Sequence, residues 1–297
     1  MFPNKSAVAE IFKGFSTLFN QTFMDTQVYW KQVAAEVNSV GASEDYKWLE
    51  GVPMPREWKG PRQVVGLSGK HYEVYNQSFE STIGIPVEDI EDDKLNVHAP
   101  RVQELGQYAA YHVDALVFAA LAAAFTALGP DGVAFISNAH PGPSGNQSNT
   151  GGGASDPWFI LDTAKVIKPI IYQNRKNVEL TNKTQVNDDN VFLDNQALFG
   201  TYCRRAVAYG RWQYLYGSKA TLDATNFATG MDTFGSFVDQ AGVPIPSEPK
   251  LLVVHPSLKA DARAILDVEF LTGGASNPWY KAIPWISVPW LSYTARP

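Results

Sequence analysis

The chain has 297 residues, with 30 Asp and Glu against 24 Lys and Arg, a net charge of −6, and a single cysteine. Charged residues make up 18% and aromatic residues 12%, where an ordinary soluble domain has roughly 25% charged residues. So depleted a charged surface favours association of copies, and an acidic chain without a Lys/Arg cluster excludes a groove that tracks nucleic-acid phosphates. One cysteine, Cys203, excludes an internal disulfide, and the opening MFPNKSAVAE has none of the parts of a secretory signal, so a reducing cytoplasm is the expected setting. The longest apolar run, residues 115–128, spans 14 residues and is too short to cross a bilayer.

Residues 6–38 place Val8, Ile11, Phe12, Phe15, Leu18, Phe19 and Phe23 at spacings of three and four, which predicts an amphipathic helix weakened at Gly14. It is either an ordinary packed helix or a terminal arm that docks on another subunit. Between residues 46 and 79, Pro53, Pro55, Gly60, Pro61, Gly66 and Gly69 punctuate short stretches, and 62–65 with 70–75 predict a hairpin turning at Leu67-Ser68-Gly69. Both faces of that hairpin mix polar and apolar residues, so it needs another surface to lie on. An acidic run, Glu88, Asp89, Glu91, Asp92 and Asp93, leads to the strongest helix of the chain, 99–128, with Pro100 expected at its first position and Gly129-Pro130 at its end. Its many alanines let neighbouring backbones approach.

Residues 137–155, rich in Gly, Pro, Asn and Ser, read as a flexible loop. Apolar stretches at 158–161, 166–172, 178–180, 191–193 and 202–214 predict a β-rich region. A last unit from about residue 219 combines a helix capped near Thr225-Asn226, a buried strand at 251–254, a second helix opened by Pro256-Ser257 and a closing strand near 285–288. The fold class is therefore mixed α+β.

Chemistry is scarce. The acidic run could hold a metal, but it lacks the alternating pattern of a calcium loop, and carboxylates before a helix are favoured by its dipole. His71, His98, His112, His140 and His255 have no ligand spacing, and His140 and His255 read as loop-entry residues satisfied by backbone. Gly66-Leu67-Ser68-Gly69-Lys70 fails the Walker spacing, and Cys203, beside Arg204 and Arg205, has no neighbouring histidine. No catalytic, cofactor or metal residue is assigned.

Several stretches together resemble the major head subunit family of Mu-like phages, the gpT family, within the Hong Kong 97 (HK-97) capsid lineage. They are Tyr46-Lys47-Trp48-Leu49, Glu57-Trp58 with Gly60 and Arg62, the run from Ser78-Phe79-Glu80 through Asp89-Ile90-Glu91-Asp92-Asp93, Gln103-Glu104-Leu105-Gly106, Trp158-Phe159-Ile160-Leu161-Asp162, Lys168-Pro169-Ile170-Ile171-Tyr172, Gly210-Arg211-Trp212-Gln213, Leu251 to Leu258, and Val288-Pro289-Trp290-Leu291. The resemblance implies an HK-97-like fold with an N-terminal arm at 1–45, an extended E-loop hairpin at 46–83, a P domain at 84–218 with its spine helix at 99–128, and an A domain at 219–297. It implies a major capsid protein that self-assembles into pentamers and hexamers of an icosahedral head, enclosing double-stranded DNA without reading its sequence. Scaffold and portal proteins, and a decoration protein, are the other implied partners; no membrane is involved, and assembly in the host bacterial cytoplasm is expected. Implied assembly contacts are Phe12, Phe15, Phe19, Trp48, Trp58, Arg62, Lys70, Tyr72, Tyr75 and Phe79. Lys70 resembles the lysine that forms a covalent cross-link in the fold's type member, but no partner Asn with a nearby Glu stands out, and no cross-link is assigned. Rival readings are a tail-tube or minor head protein, and a soluble hydrolase using Glu91, Asp92 or His140.

Overall fold

The computed structural model describes residues 5–50, 71–92, 95–185 and 187–292. Helix α1 (Lys5–Asp25) is followed by a single turn, α2 (Trp30–Val33), and by strand β1 (Ala34–Asn38). The helix expected over 6–38 thus stops at Asp25. Its last five residues are claimed by a sheet instead, pairing in parallel from Ala34 opposite Ile170 to Asn38 opposite Asn174. Strands β2 (Ser43–Asp45) and β3 (Glu73–Tyr75) form an antiparallel pair. Of the hairpin expected over 62–75, the first strand and the turn lie outside the described residues, and the described part of the second pairs with β2.

Strand β4 (Gln77–Pro86) leads through the short helix α3 (Val87–Glu91) into α4 (Leu95–Ala123), 29 residues long. Pro100 lies inside α4, not at its first position, and the helix runs through it with one backbone hydrogen bond missing. At the other end α4 stops at Ala123, short of residue 128, because the returning chain takes the carbonyls that would continue it: Ile136 N–H donates to Ala124 O at 2.8 Å and Phe135 N–H to Ala127 O at 2.9 Å.

The glycine-rich stretch is ordered. Strands β5 (His140–Gly142) and β6 (Gly145–Gln147) form a small hairpin, and β7 (Thr150–Gly153) joins a larger sheet. Its glycines serve close approach: a Cβ at Gly151 would stand 2.3 Å from the Tyr216 hydroxyl, and Gly153 has a φ of +91° with backbone packed against it. Strands β8 (Trp158–Leu161) and β9 (Ile170–Lys183), helix α5 (Asp189–Asp194), and strands β10 (Gln196–Tyr209) and β11 (Leu215–Lys219) follow. The strand expected at 191–193 is α5, which turns the chain between the two 14-residue strands β9 and β10 and ends at Asn195 with φ +51°. The strand expected over 202–214 is the end of β10 and a tight turn at Trp212–Tyr214. Helix α6 (Ala224–Thr233) is capped by Asp223, whose carboxylate accepts from Asn226 N–H at 2.8 Å, so the cap stands two residues earlier than expected. Strand β12 (Leu251–Val254), helix α7 (Lys259–Leu266) and strand β13 (Trp285–Ser287) complete the order.

Two sheets organise these pieces: β1-β9-β10-β4, and β13-β12-β8-β11-β7. The final unit is therefore not closed on itself. Its strands β12 and β13 extend a sheet begun by β7, β8 and β11, because the wholly apolar β8 and β12 (WFIL and LLVV) must lie side by side to be covered on both faces. The second half of α4, with Val113, Val117, Phe118 and Leu121, packs into a core shared with Phe159, Ile160, Tyr209 and Leu252. The first half, through Val102 and Leu105, meets Phe15 and Phe19 of α1 and Ile85, Leu180 and Phe199 of the four-stranded sheet. Each such buried side chain contributes about 1.5–3 kcal/mol. Contact between α1 and α4 is close at Gly106, where a Cβ would lie 2.7 Å from the Phe19 carbonyl oxygen.

Candidate assembly surface

The described residues on either side of 51–70 are held together at one point on the body. Tyr46 N–H donates to Tyr72 O at 3.0 Å, and the Tyr46 hydroxyl donates to Gln173 Oε1 at 2.7 Å. Gln173, buried in β9, spends its amide N–H groups on Val74 O at 3.2 Å and Asn76 Oδ1 at 2.8 Å. Tyr209 N–H of β10 donates to the Tyr72 hydroxyl at 3.0 Å, and Arg211 Nε donates to Leu49 O at 3.0 Å. Both flanks are thus fastened to β9 and β10 by buried or half-buried hydrogen bonds, each worth about 0.5–1.5 kcal/mol net.

Outside these bonds lies a shell of charge. Glu44 Oε1 accepts from Val40 N–H at 2.8 Å, Ser39 Oγ at 2.9 Å and Gly41 N–H at 3.2 Å, and these donors hold its carboxyl below the usual range. Asp45 is held low by Lys47 at 2.9 Å and by His71 at 2.7 Å. Glu73 is held low by the hydroxyls of Ser43 and Tyr75, and by His71.

A second anchor fixes the departure of α1. Asp114 of α4 is fully buried, and its carboxylate accepts from Trp30 N–H at 2.7 Å and from Tyr29 N–H at 3.0 Å, satisfying the free amides at the start of α2. Burial pushes its pKa up, and the two amides pull it back down. Neither Asp114 nor Gln173 is legible as an anchor in the sequence; the one signal is a polar residue at an apolar position of a helix or strand.

The residues implied as assembly contacts fall into three groups. Phe15 and Phe19 are buried within their own chain, with Phe12 packed against the same cluster, and Tyr72 is tied to Tyr209. The three phenylalanines are occupied internally because α1 folds back on α4 and the sheet, and Tyr72 because its hydroxyl takes a β10 amide. Tyr75 is 63% exposed, and Phe79 lies half-buried with its ring edge-on to His112 at 4.5 Å. Trp58, Arg62, Lys70 and the Trp48 side chain lie outside the described residues. The sequence reading missed Phe192 and Leu193, which it put in a strand. They stand on α5 at the turn from β9 to β10, 81% and 73% exposed.

The chemistry-bearing residues hold structure. Asp89 Oδ2 pairs with His98 Nε2 at 2.8 Å, and Glu88 Oε1 accepts from Asn195 Nδ2 at 3.2 Å. His140 is buried, stacked on Trp212 at 4.1 Å, with its nitrogens 2.6 Å from Asp131 Oδ2 and 3.1 Å from Asn149 Oδ1. His255 meets Ser257 Oγ at 2.7 Å and Ser292 Oγ at 2.6 Å. For His140 the expected backbone partners are side chains instead, because the loops fold around it; His255 keeps one backbone partner, the Ser257 N–H, which donates to its Nδ1 at 3.3 Å beside the two serine hydroxyls. Asp156 lies 3.4 Å from His255 Nδ1, farther than Ser257, to whose hydroxyl it is bonded; the carboxylate orients the serine and not the imidazole.

A long helix crossing a sheet built on two 14-residue strands, a second, five-stranded sheet, and the anchored strand pair that flanks residues 51–70 make the HK-97-type shell subunit. The chain is similar to the subunit of the bacteriophage JBD30 procapsid, with a TM-score of 0.86 and 32% identity, over 97% of this chain and 100% of that one. It is similar also to the subunit of the JBD30 capsid, with a TM-score of 0.79 and 28% identity, over 89% and 91% of the two. The chain is a phage major capsid protein, a structural component of the virion and not an enzyme. The family described as Mu-like prophage major head subunit gpT matches residues 8–291, and the chain belongs to it. Among its relatives, the major capsid protein of Escherichia phage Mu is 34% identical over 261 residues, 84% of this chain and 86% of that one. The Mu-like prophage FluMu major head subunit of Haemophilus influenzae is 31% identical over 274 residues, 88% and 89% of the two. Among the described residues no helix is long and apolar enough to cross a membrane.

Proposed function

We propose that copies of this chain form the pentamers and hexamers of an icosahedral head around double-stranded DNA, and that the segment 46–72 is the clasp by which one copy holds the next. The observation that carries this reading is the pinning of Tyr46, Tyr72, Val74 and Asn76 to Gln173 and β10. A load on the segment is delivered into the sheet and not into a hinge. Trp58, Arg62 and Lys70 supply its grip, and Tyr75 with Phe192 and Leu193 extends the contact surface. Interfaces of about 2,000 Å² or more then stabilise limbs that a lone subunit leaves exposed. A net charge of −6 lets packaged DNA slide past the wall.

In this reading residues 1–45 are the arm, 46–83 the E-loop and α4 the spine of the P domain. The A domain takes β7, β8 and β11 as well as residues 219–297, since the five strands share one sheet. Scaffold and portal proteins guide closure in the host cytoplasm. A decoration protein is a further partner; the JBD30 capsid is described as decorated with minor capsid protein trimers.

Deleting residues 51–70 while keeping Tyr72 and β3 tests the clasp. Expected is a folded subunit, by circular dichroism and sedimentation, that forms no closed shells in electron micrographs. Normal shells from the deleted chain refute the reading.

A further inference from the structure

Between β10, β4 and α4 lies a cavity of about 340 Å³, lined by Phe79, Leu105, Tyr108, His112, Arg205 and Trp290, among others. Such a volume is at the lower end of those that hold small ligands. Its walls are mainly apolar and aromatic, and Arg205 is the buried charged group among them. Arg205 is 2% exposed, and its Nε and Nη1 have no hydrogen-bond partner. One face of the guanidinium is 6.0 Å from the Tyr172 ring, and the Cys203 thiol is beside it. No carboxylate of the described residues pairs with it. Glu80, at the rim, is exposed and accepts from Thr82 Oγ1 at 2.9 Å.

A buried guanidinium without an anion is strongly unfavourable, and it persists where something supplies the missing charge. We infer that this cavity is a binding site for a small monoanionic amphiphile, a carboxylate on an apolar body, whose head pairs with Arg205 and whose body lies along Phe79, Leu105 and Trp290. The planar fork of arginine suits a carboxylate. A single negative charge is indicated because Arg205 stands without a second cation: His112, the other basic group of the lining, is held neutral at pH 7, its pKa depressed to about 4 by burial and then by Arg205. A dianionic phosphate would remain half compensated. Apolar lining supplies the rest of the affinity.

The test is calorimetric titration of the full-length, unassembled chain with phenylbutyrate and with its neutral counterpart phenylbutanol. Expected is saturable one-to-one binding of the acid at least tenfold tighter than the alcohol. Arg205→Met should abolish that preference while the alcohol still binds, and the empty variant should melt a few degrees higher than the wild type, since the uncompensated charge is gone. Ala109→Phe, which fills the cavity and leaves Arg205 in place, should block both probes. Equal affinity for acid and alcohol, or an unchanged preference in Arg205→Met, overturns the inference. So does a shell map in which a side chain of a sister copy occupies the seat at Arg205.

Discussion

Replacing Asp114 by alanine isolates the joint between the N-terminal helix and the body. The carboxylate is fully buried and accepts the amides of Tyr29 and Trp30. Without it two backbone N–H groups lose their partner away from water, at about 1–3 kcal/mol each. Part of this is returned, because a carboxylate whose pKa is raised by burial no longer has to be kept charged in the interior. The net expectation for Asp114→Ala is a loss of about 3 kcal/mol, which for a chain of this size lowers the melting temperature by about 5 °C. Asp114→Asn, which keeps one acceptor oxygen, should lose about a third as much. Thermal unfolding of unassembled subunits reads the first effect; hydrogen exchange at Tyr29 and Trp30 should accelerate in Asp114→Ala and localise it. A shift below 1 °C with unaltered exchange at both amides would show that α2 is held by its apolar contacts alone, and the argument for a charged anchor would fail.

Gly106→Val should force α1 off α4, since even the first added carbon would stand 2.7 Å from the Phe19 carbonyl; overpacking of this kind costs about 1–3 kcal/mol, and limited proteolysis should cut within 5–25 faster than in the wild type. Asn149 is buried, accepts from Ser137 N–H at 2.8 Å and donates to Phe135 O at 2.9 Å and Trp212 O at 3.3 Å, so Asn149→Ala should cost about 3 kcal/mol and release the hydrogen-exchange protection of 137–153; a wild-type stretch already exchanging at loop rates would contradict the ordered structure. Acid should loosen the base of the proposed clasp. Glu44, Asp45 and Glu73 have folded pKa values below their ordinary ones, so the stability they contribute is complete above the ordinary carboxylate range and is lost as pH falls through their depressed values. Exchange at 43–45 and 73–75 should therefore rise below about pH 4, ahead of β9 and β10, and equal protection of all four strands down to pH 2 would refute it.

Shell building explains why so little catalytic chemistry is present. Histidines and carboxylates that look available in the sequence are consumed by structure: His98 by Asp89, His140 by Asp131 and Asn149, His255 by two serines. Self-assembly asks instead for limbs with fixed roots. Tyr46 and Gln173, 127 residues apart in the chain, provide such a root at 2.7 Å.

Local patterns in the chain determined the mixed α+β class, the long alanine-rich helix, the buried strands at 158–161 and 251–254, and, through short stretches such as 78–93, the family. These are properties of periodicity and of residue order, and they survive without knowledge of neighbours. Tertiary structure decided the rest. Residues 34–38 follow a helical rhythm but pair with Ile170 to Asn174; 191–193 look like a strand but turn the chain as a helix that leaves Phe192 and Leu193 in solvent; the glycines of 150–153 look like slack but admit the Tyr216 hydroxyl. In each case the deciding partner is distant in sequence, and pairing or close packing with it outweighs a local preference of a few tenths of a kcal/mol per residue. Arg205 shows the same limit. Alternation along β10 places it on the inner face after Phe199, Thr201 and Cys203, but only the folded chain shows that, among the described residues, no carboxylate waits there.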